Sequence, residues 1–226
     1  TTTYDFRNYN MALGGQGAPL VPIGDALLFS EYSSCINLGG IANISYDQNS
    51  IRQGFDCSPF NLLFNHYARR AGHAFDRNGA IARNGKPIPP LLEKLNQHSY
   101  YQKKHPKSLD KEEVLKEFIP IIDAFDGALD DVQHSLCLHF AEQIAKNIKG
   151  TNVLLTGGGA FHTFFVEALE RQSGLKIKLP NREVIEFKEA LIFALLGYLR
   201  FNTQINTLSS ASGGLHDCVS GALIHA

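Results

Sequence analysis

Two strand-like apolar runs, residues 34–38 (SCINL) and 41–46 (IANISY), are separated by nothing but Gly39-Gly40. Runs joined this way fold back on each other as a tight hairpin, and the spacing predicts positive φ at the glycine turn. A third short strand over about 50–55 ends at Phe55-Asp56, and Cys57-Ser58-Pro59 leads into a helix over about 60–71. Farther along, Val153-Leu154-Leu155-Thr156 reads as a strand, Gly157-Gly158-Gly159 as a break, and Phe161, Phe164, Phe165, Ala168 and Leu169 as one face of a helix. Lys176 to Leu179 reads as another strand, stopped by Pro180. Helices are expected from 111 to Pro120, over 130–149 and over 187–201. In the second, Val132, Leu136, Phe140, Ile144 and Ile148 recur every four residues. Antiparallel strands followed by βαβ units predict a mixed sheet covered by helices on both faces.

Between these elements, residues 14–24 form a glycine- and proline-rich loop, and a polar excursion of short helices and loops over 73–110 opens an insertion that runs to about 135. The chain opens at Thr1-Thr2-Thr3 like the end of a strand entered from elsewhere, which reads as a fragment. With 21 Lys and Arg against 22 Asp and Glu in 226 residues, the net charge is -1, and there is no field to capture nucleic acid or an anionic membrane. No apolar run reaches the roughly 20 residues of a membrane-spanning helix. Cys35, Cys57, Cys137 and Cys218 form no CxxC pair, which argues against a zinc site and for reduced thiols in a cytosolic protein.

The motifs admit two readings each when taken singly. The glycine turn within Asn37–Asn43 is an ordinary hairpin, or it lets backbone N–H groups approach an anion. Thr156-Gly157-Gly158-Gly159 between a strand and a helix permits close packing of a nucleotide, yet lacks the full P-loop or dinucleotide pattern. Asp56 is a helix cap, or a carboxylate at the carboxyl end of a strand, where open α/β folds place ligands. Arg7, beside Asp5, is an ion-pair partner or an anion clamp; Lys107-Ser108 reads more simply as a solvated loop than as a phosphate contact. No GxSxG elbow or HExxH pair supports a hydrolase.

Taken together and in order, Asp5-Phe6-Arg7, GGQGAPLVP (14–22), NLGGIAN (37–43), Gly54-Phe55-Asp56, Pro106-Lys107-Ser108 and Gly157-Gly158-Gly159-Ala160-Phe161 resemble the anhydro-N-acetylmuramic acid kinase family of the actin-like and hexokinase-like ATPase superfamily. The resemblance runs from about residue 4 to about 200. It implies an actin-like (ribonuclease H-like) α/β lobe, with 1–226 as the C-terminal lobe of a two-lobe sugar kinase. The N-terminal phosphate-loop lobe lies outside this chain, and the isolated fragment is expected to be inactive. Asp56 takes the position of the family's catalytic base; Arg7 holds the sugar, Gln16 lies near it, and Glu189 matches a family glutamate near the substrate. The resemblance further implies that Gly39, Gly40, Asn43 and Lys107, with Gly157, Gly158 and Gly159, serve ATP. The cofactors so implied are ATP and Mg²⁺, the partner a small-molecule sugar, the assembly a homodimer and the location cytoplasmic.

The sequence departs from the family at several places. Ser58 and Phe60 stand where the family motif has glycines, and Phe60 is expected to add bulk beside the base. Leu109-Asp110-Lys111-Glu112 replaces a family segment after Lys107-Ser108. These changes keep two alternatives open: a kinase of the same superfamily for another sugar, and a homologue that binds sugar or nucleotide without catalysis.

Overall fold

The computed structural model describes residues 1–224. The chain opens with β1 (Thr2–Tyr4) and the short helices α1 (Asn8–Ala12) and α2 (Pro22–Leu28). A meander follows: β2 (Ser34–Leu38), β3 (Ile41–Gln48) and β4 (Ile51–Pro59). Helix α3 (Asn61–Arg70) leads into the insertion, which contributes α4 (Ala80–Asn84), α5 (Pro89–Asn96), a 3₁₀ turn at Ser99–Gln102 and α6 (Lys111–Asp123). The chain ends with α7 (Leu129–Ala145), β5 (Val153–Thr156), α8 (Thr163–Ser173), α9 (Arg182–Phe201), α10 (Ser209–Ser212) and β6 (Ala222–Ile224).

The main sheet has four strands in the order β4-β3-β2-β5, with only β2 and β5 parallel. Strand alternation gives it two unlike faces. Ile36, Leu38, Ile44, Phe55 and Leu155 share one face, each 0–1% exposed, and pack against α3, α7 and α8. The opposite face carries Cys35, Asn37, Asn43, Ser45, Asp56 and Thr156, and α2, α9 and α10 lie over its far end. There a buried ion pair, Lys188 Nζ to Asp25 Oδ1 at 2.7 Å, joins α9 to α2, and Ser45 Oγ donates to the other oxygen of Asp25 at 2.6 Å. Strand β1 pairs separately with β6.

The register slips once. Ala42 pairs with Ser58 but Asn43 pairs with Asp56, so Cys57 is an extra residue, a β-bulge. A regular strand would have put residues 56, 58 and 60 on one face. The bulge flips that alternation and sends Phe60 into the core on the other side. Its ring is 0% exposed and contacts Phe64, Phe140 and Phe165 at centroid distances of 5.1, 5.8 and 4.6 Å. The expected bulk beside Asp56 is therefore absent.

Other expectations are corrected. Residues 176–179 pair with no strand among the described residues; the Ile177 N–H is taken by the Glu170 carboxylate at 2.9 Å and is lost to a ladder. Helix α6 continues through Pro120 to Asp123, and α9 begins at Arg182 rather than 187. The third strand runs on to Pro59, beyond the expected end at 55. Truncating Phe60 removes the ring at the centre of this aromatic cluster. Phe60→Ala is expected to cost about 3–5 kcal/mol in urea unfolding; a loss below about 1 kcal/mol would place the ring outside the core.

Candidate active site

The strand register sets Asp56 opposite Asn43, Asn43 opposite Asn37 and Asn37 opposite Thr156. These four residues form one polar row across the sheet, close to the carboxyl ends of β2 and β5. Three strand spacings of about 4.8 Å make the row roughly 14 Å long. The carboxamides of Asn37 and Asn43 are half-buried and have no hydrogen-bond partner among the described residues.

At one end of the row are the two glycine turns. Gly157 has φ +81°, and a Cβ there would lie 2.7 Å from Asn37 Oδ1 and 2.9 Å from the Leu38 carbonyl. That position requires glycine on both counts. Gly159 is barred from a side chain by the Phe60 ring and Leu38, whereas a Cβ on Gly158 would meet open space. Gly39 and Gly40 do not have positive φ, contrary to the sequence expectation. A Cβ on Gly40 would press on Leu62 at 3.2 Å, whereas one on Gly39 would make ordinary contact, 3.4 Å from Asn37 Nδ2. The carbonyls of Gly39 and Gly40 receive the N–H groups of Asn61 and Leu62 at 3.2 and 3.0 Å, which seats the start of α3 on the turn. A recess of about 330 Å³, lined by Gly39, Gly40, Asn61, Leu62, Asn65 and Arg69, opens beside it.

At the other end is Asp56, 7% exposed. Its N–H donates to the Lys107 carbonyl at 3.1 Å, and its Oδ2 accepts the Leu109 N–H at 2.9 Å. The segment after Pro106 thus closes the open edge of β4. Burial pushes the Asp56 carboxyl up from 3.8 to about 6; the Leu109 N–H and the Arg7 charge pull the other way without cancelling it.

The glycine-rich loop before α2 stands in front of this carboxylate. Buried Asn10 fastens it, accepting the Gly17 N–H at 2.9 Å and donating to Ser212 Oγ at 2.7 Å. Arg7 makes no ion pair with Asp5; its guanidinium donates to the Gly17 carbonyl at 2.6 Å. The Gln16 backbone N–H donates to the Ser212 carbonyl at 2.7 Å, and its side chain points to the Pro106 carbonyl at 3.4 Å. Asp56, Arg7 and Gln16 are brought together, therefore, around the 106–109 segment.

Two expected residues stand elsewhere. The Lys107 ammonium is buried 4.5 Å above the Tyr100 ring and donates to the Tyr100 carbonyl at 3.2 Å, so it is directed into the protein and away from solvent. Glu189 is exposed on α9, one turn after Ile185, whose carbonyl accepts the Gly157 N–H at 3.1 Å; no hydrogen bond or ion pair joins it to Asp56, Arg7 or Gln16. Asn37 and the Leu109 N–H are the parts that motif reading misses. A signal for Asn37 is present in the sequence, because it alternates in phase with Gly39 on the face opposite Ile36 and Leu38.

The upward shift of the Asp56 carboxyl makes stability depend on pH. The folded protein holds this proton more tightly than the unfolded chain, so ionisation weakens the fold as pH rises from about 4 through 6. For a carboxyl displaced this far, the full loss is on the order of 3 kcal/mol. Asp56→Asn is expected to unfold at higher urea than the parent at pH 8 and to show no such gain at pH 4. Equal midpoints at both pH values would contradict the burial argument.

A sequence profile of anhydro-N-acetylmuramic acid kinase matches residues 1–226. The protein of that name from Sulfurovum sp. (strain NBC37-1) is 34% identical over 230 residues, covering 97% of this chain and 63% of the relative. That from Aliivibrio fischeri is 35% identical over 222 residues, covering 89% of this chain and 59% of the relative. The chain spans less than two thirds of the length of these curated relatives. Among solved structures, the activator of the 2-hydroxyisocaproyl-CoA dehydratase from Clostridium difficile superposes with a TM-score of 0.50 at 16% identity, over 77% of this chain and 63% of the other. That likeness concerns the fold alone, which is the actin-like ATPase fold. Matched along its whole length, the chain belongs to the anhydro-N-acetylmuramic acid kinase family.

Proposed function

We propose that this chain is the C-terminal lobe of an ATP-dependent kinase that opens the 1,6-anhydro ring of anhydro-N-acetylmuramic acid and phosphorylates O6, giving N-acetylmuramic acid 6-phosphate in cell-wall recycling. The supporting observation is the polar row, with a buried carboxylate at one end and two glycine turns at the other. In this reading Asp56 takes a proton from the water that attacks the anomeric carbon, as the base does in inverting glycoside hydrolysis. One oxygen is held by the Leu109 N–H, which leaves the other to accept that proton. Arg7 and Gln16 orient the sugar. The freed O6 then attacks the γ-phosphate, held at Gly39, Gly40 and Asn43, while Gly157, Gly158 and Gly159 take the nucleoside. Glu189 is assigned to the substrate.

Among the described residues no cluster of three or more His, Cys, Asp or Glu could hold a metal ion by itself. The free carboxamide of Asn37 suits a Mg²⁺ that arrives on the nucleotide and keeps most of its waters. When bound, Mg²⁺ neutralises developing phosphoryl charge. The homodimer and the cytoplasmic location belong to the same proposal. No described helix is long and apolar enough to cross a membrane.

The test is turnover by the full-length protein with ATP, Mg²⁺ and the anhydro-sugar. Asp56→Asn is expected to lower kcat by about 10²–10⁴-fold with little change in KM. Since the base must be ionised, activity is expected to fall as pH drops below about 6, following the raised carboxyl. ADP release with other sugars but not with this one would move the assignment to a different substrate. Binding of ATP and sugar without product would make the protein a non-catalytic homologue.

A further inference from the structure

Cys57 is the extra residue of the β4 bulge, and two consecutive tyrosines of the insertion hold the residues on either side of it. The Tyr100 hydroxyl donates to the Asp56 carbonyl at 2.6 Å, and the Tyr101 hydroxyl lies 3.2 Å from Ser58 Oγ. Both tyrosines come from the 3₁₀ turn at Ser99–Gln102. Tyr101 is itself anchored by fully buried His139 on α7, whose Nε2 lies 2.8 Å from its hydroxyl. Three of the contacts around Tyr100 close into a ring. Asp56 N–H donates to the Lys107 carbonyl, the Lys107 ammonium donates to the Tyr100 carbonyl, and the Tyr100 hydroxyl donates back to the Asp56 carbonyl. The ring seals a cation and a phenol inside the protein at a place where a regular strand edge would need neither.

We propose that Tyr100 and Lys107 are positioning residues for Asp56. Their closed ring of hydrogen bonds fixes the bulged main chain so that the Leu109 N–H stays on Oδ2 and the other oxygen stays available to the substrate water. This rests on reading Asp56 as the general base. It replaces the phosphate-contact role expected of Lys107 with a role through the Asp56 main chain. Neither side chain has a hydrogen bond to the carboxylate, so any effect on it travels through the geometry they hold.

The carboxylate is faced by Arg7 ahead of α1, by Tyr100 and the Leu109 N–H of the insertion, by Cys57 on its own strand and by neutral Asn43 on β3. In Tyr100→Phe none of these charges changes, so a shift in the Asp56 titration reports geometry. Release of the Leu109 N–H removes an interaction that favours the anion, and the midpoint should then rise.

The experiment uses full-length protein carrying ¹³C-labelled aspartate, with the Asp56 resonance assigned through Asp56→Asn. Tyr100→Phe keeps the ring and is expected to melt within about 5 °C of the parent. It should raise the Asp56 titration midpoint and cut kcat by about 10–100-fold, with KM for ATP within about twofold. Lys107→Met should behave alike. An unmoved midpoint in folded Tyr100→Phe overturns the proposal. So does a Lys107→Met variant whose only defect is a raised KM for ATP. The titration does not depend on turnover. A parent inactive on the anhydro-sugar but with the midpoint shifting in Tyr100→Phe would sink the kinase reading alone. An active parent with an unmoved midpoint would sink only the positioning role.

Discussion

Burial of one face of the four-stranded sheet is the constraint from which the rest follows. Ile36, Leu38, Ile44, Phe55 and Leu155 go inward together. Since side chains alternate, Asn37, Asn43, Asp56 and Thr156 must then share the other face. A one-residue slip of any strand would expose an apolar set and bury an amide or a carboxylate, at a cost of several kcal/mol. The same apolar burial that specifies the register thus lines up the polar row. The chemistry is aligned by the core, not by contacts among the polar groups themselves.

The row stays free of bulky neighbours because the bulge interrupts that alternation just after Asp56. Without it, Ser58 and Phe60 would point to the face that carries the polar row. With it, Phe60 fills the space under Gly159 and Ser58 turns toward Tyr101. The glycine at 159 and the phenylalanine at 60 are thereby two halves of one packing solution. Where the family motif has a glycine, this chain has a ring, and the space that ring occupies belongs to the core.

Much of this is legible in the sequence because it rests on local rules. The Gly39-Gly40 hairpin, the strand at 153–156 and the helix with Val132, Leu136, Phe140 and Ile144 inward are each set by short-range periodicity. What is not legible depends on partners distant in sequence. A bulge is invisible to a period-2 pattern, so that pattern puts Phe60 on the wrong side. Ile177 fits a strand pattern, but Glu170 captures its N–H and β5 is left as the sheet's edge. Gly39 and Gly40 look like positive-φ residues, whereas neither has positive φ and Gly40 instead packs tightly on Leu62 of α3. Lys107 follows a proline in a polar stretch and reads as solvated; only the fold supplies Tyr100 and Phe55 to enclose it.

These observations also explain why the insertion packs where it does. Strand β4 lies at the edge of the sheet, and an uncovered edge exposes unpaired backbone groups to water and to other strands. Covering it with residues 106–109 satisfies the Asp56 N–H and at the same moment takes the carboxylate out of water. Desolvation would drive that carboxyl toward its neutral form; one backbone donor and a nearby guanidinium hold the rise to about 6, short of the value at which it would stay protonated in neutral solution. A carboxylate left fully solvated would bind its proton less tightly, and one buried without the Leu109 N–H would bind it more tightly still. Edge protection and the proton affinity of Asp56 are in this way set by the same four residues. A change to residues 106–109 made for stability alone would alter the acidity of Asp56 as well.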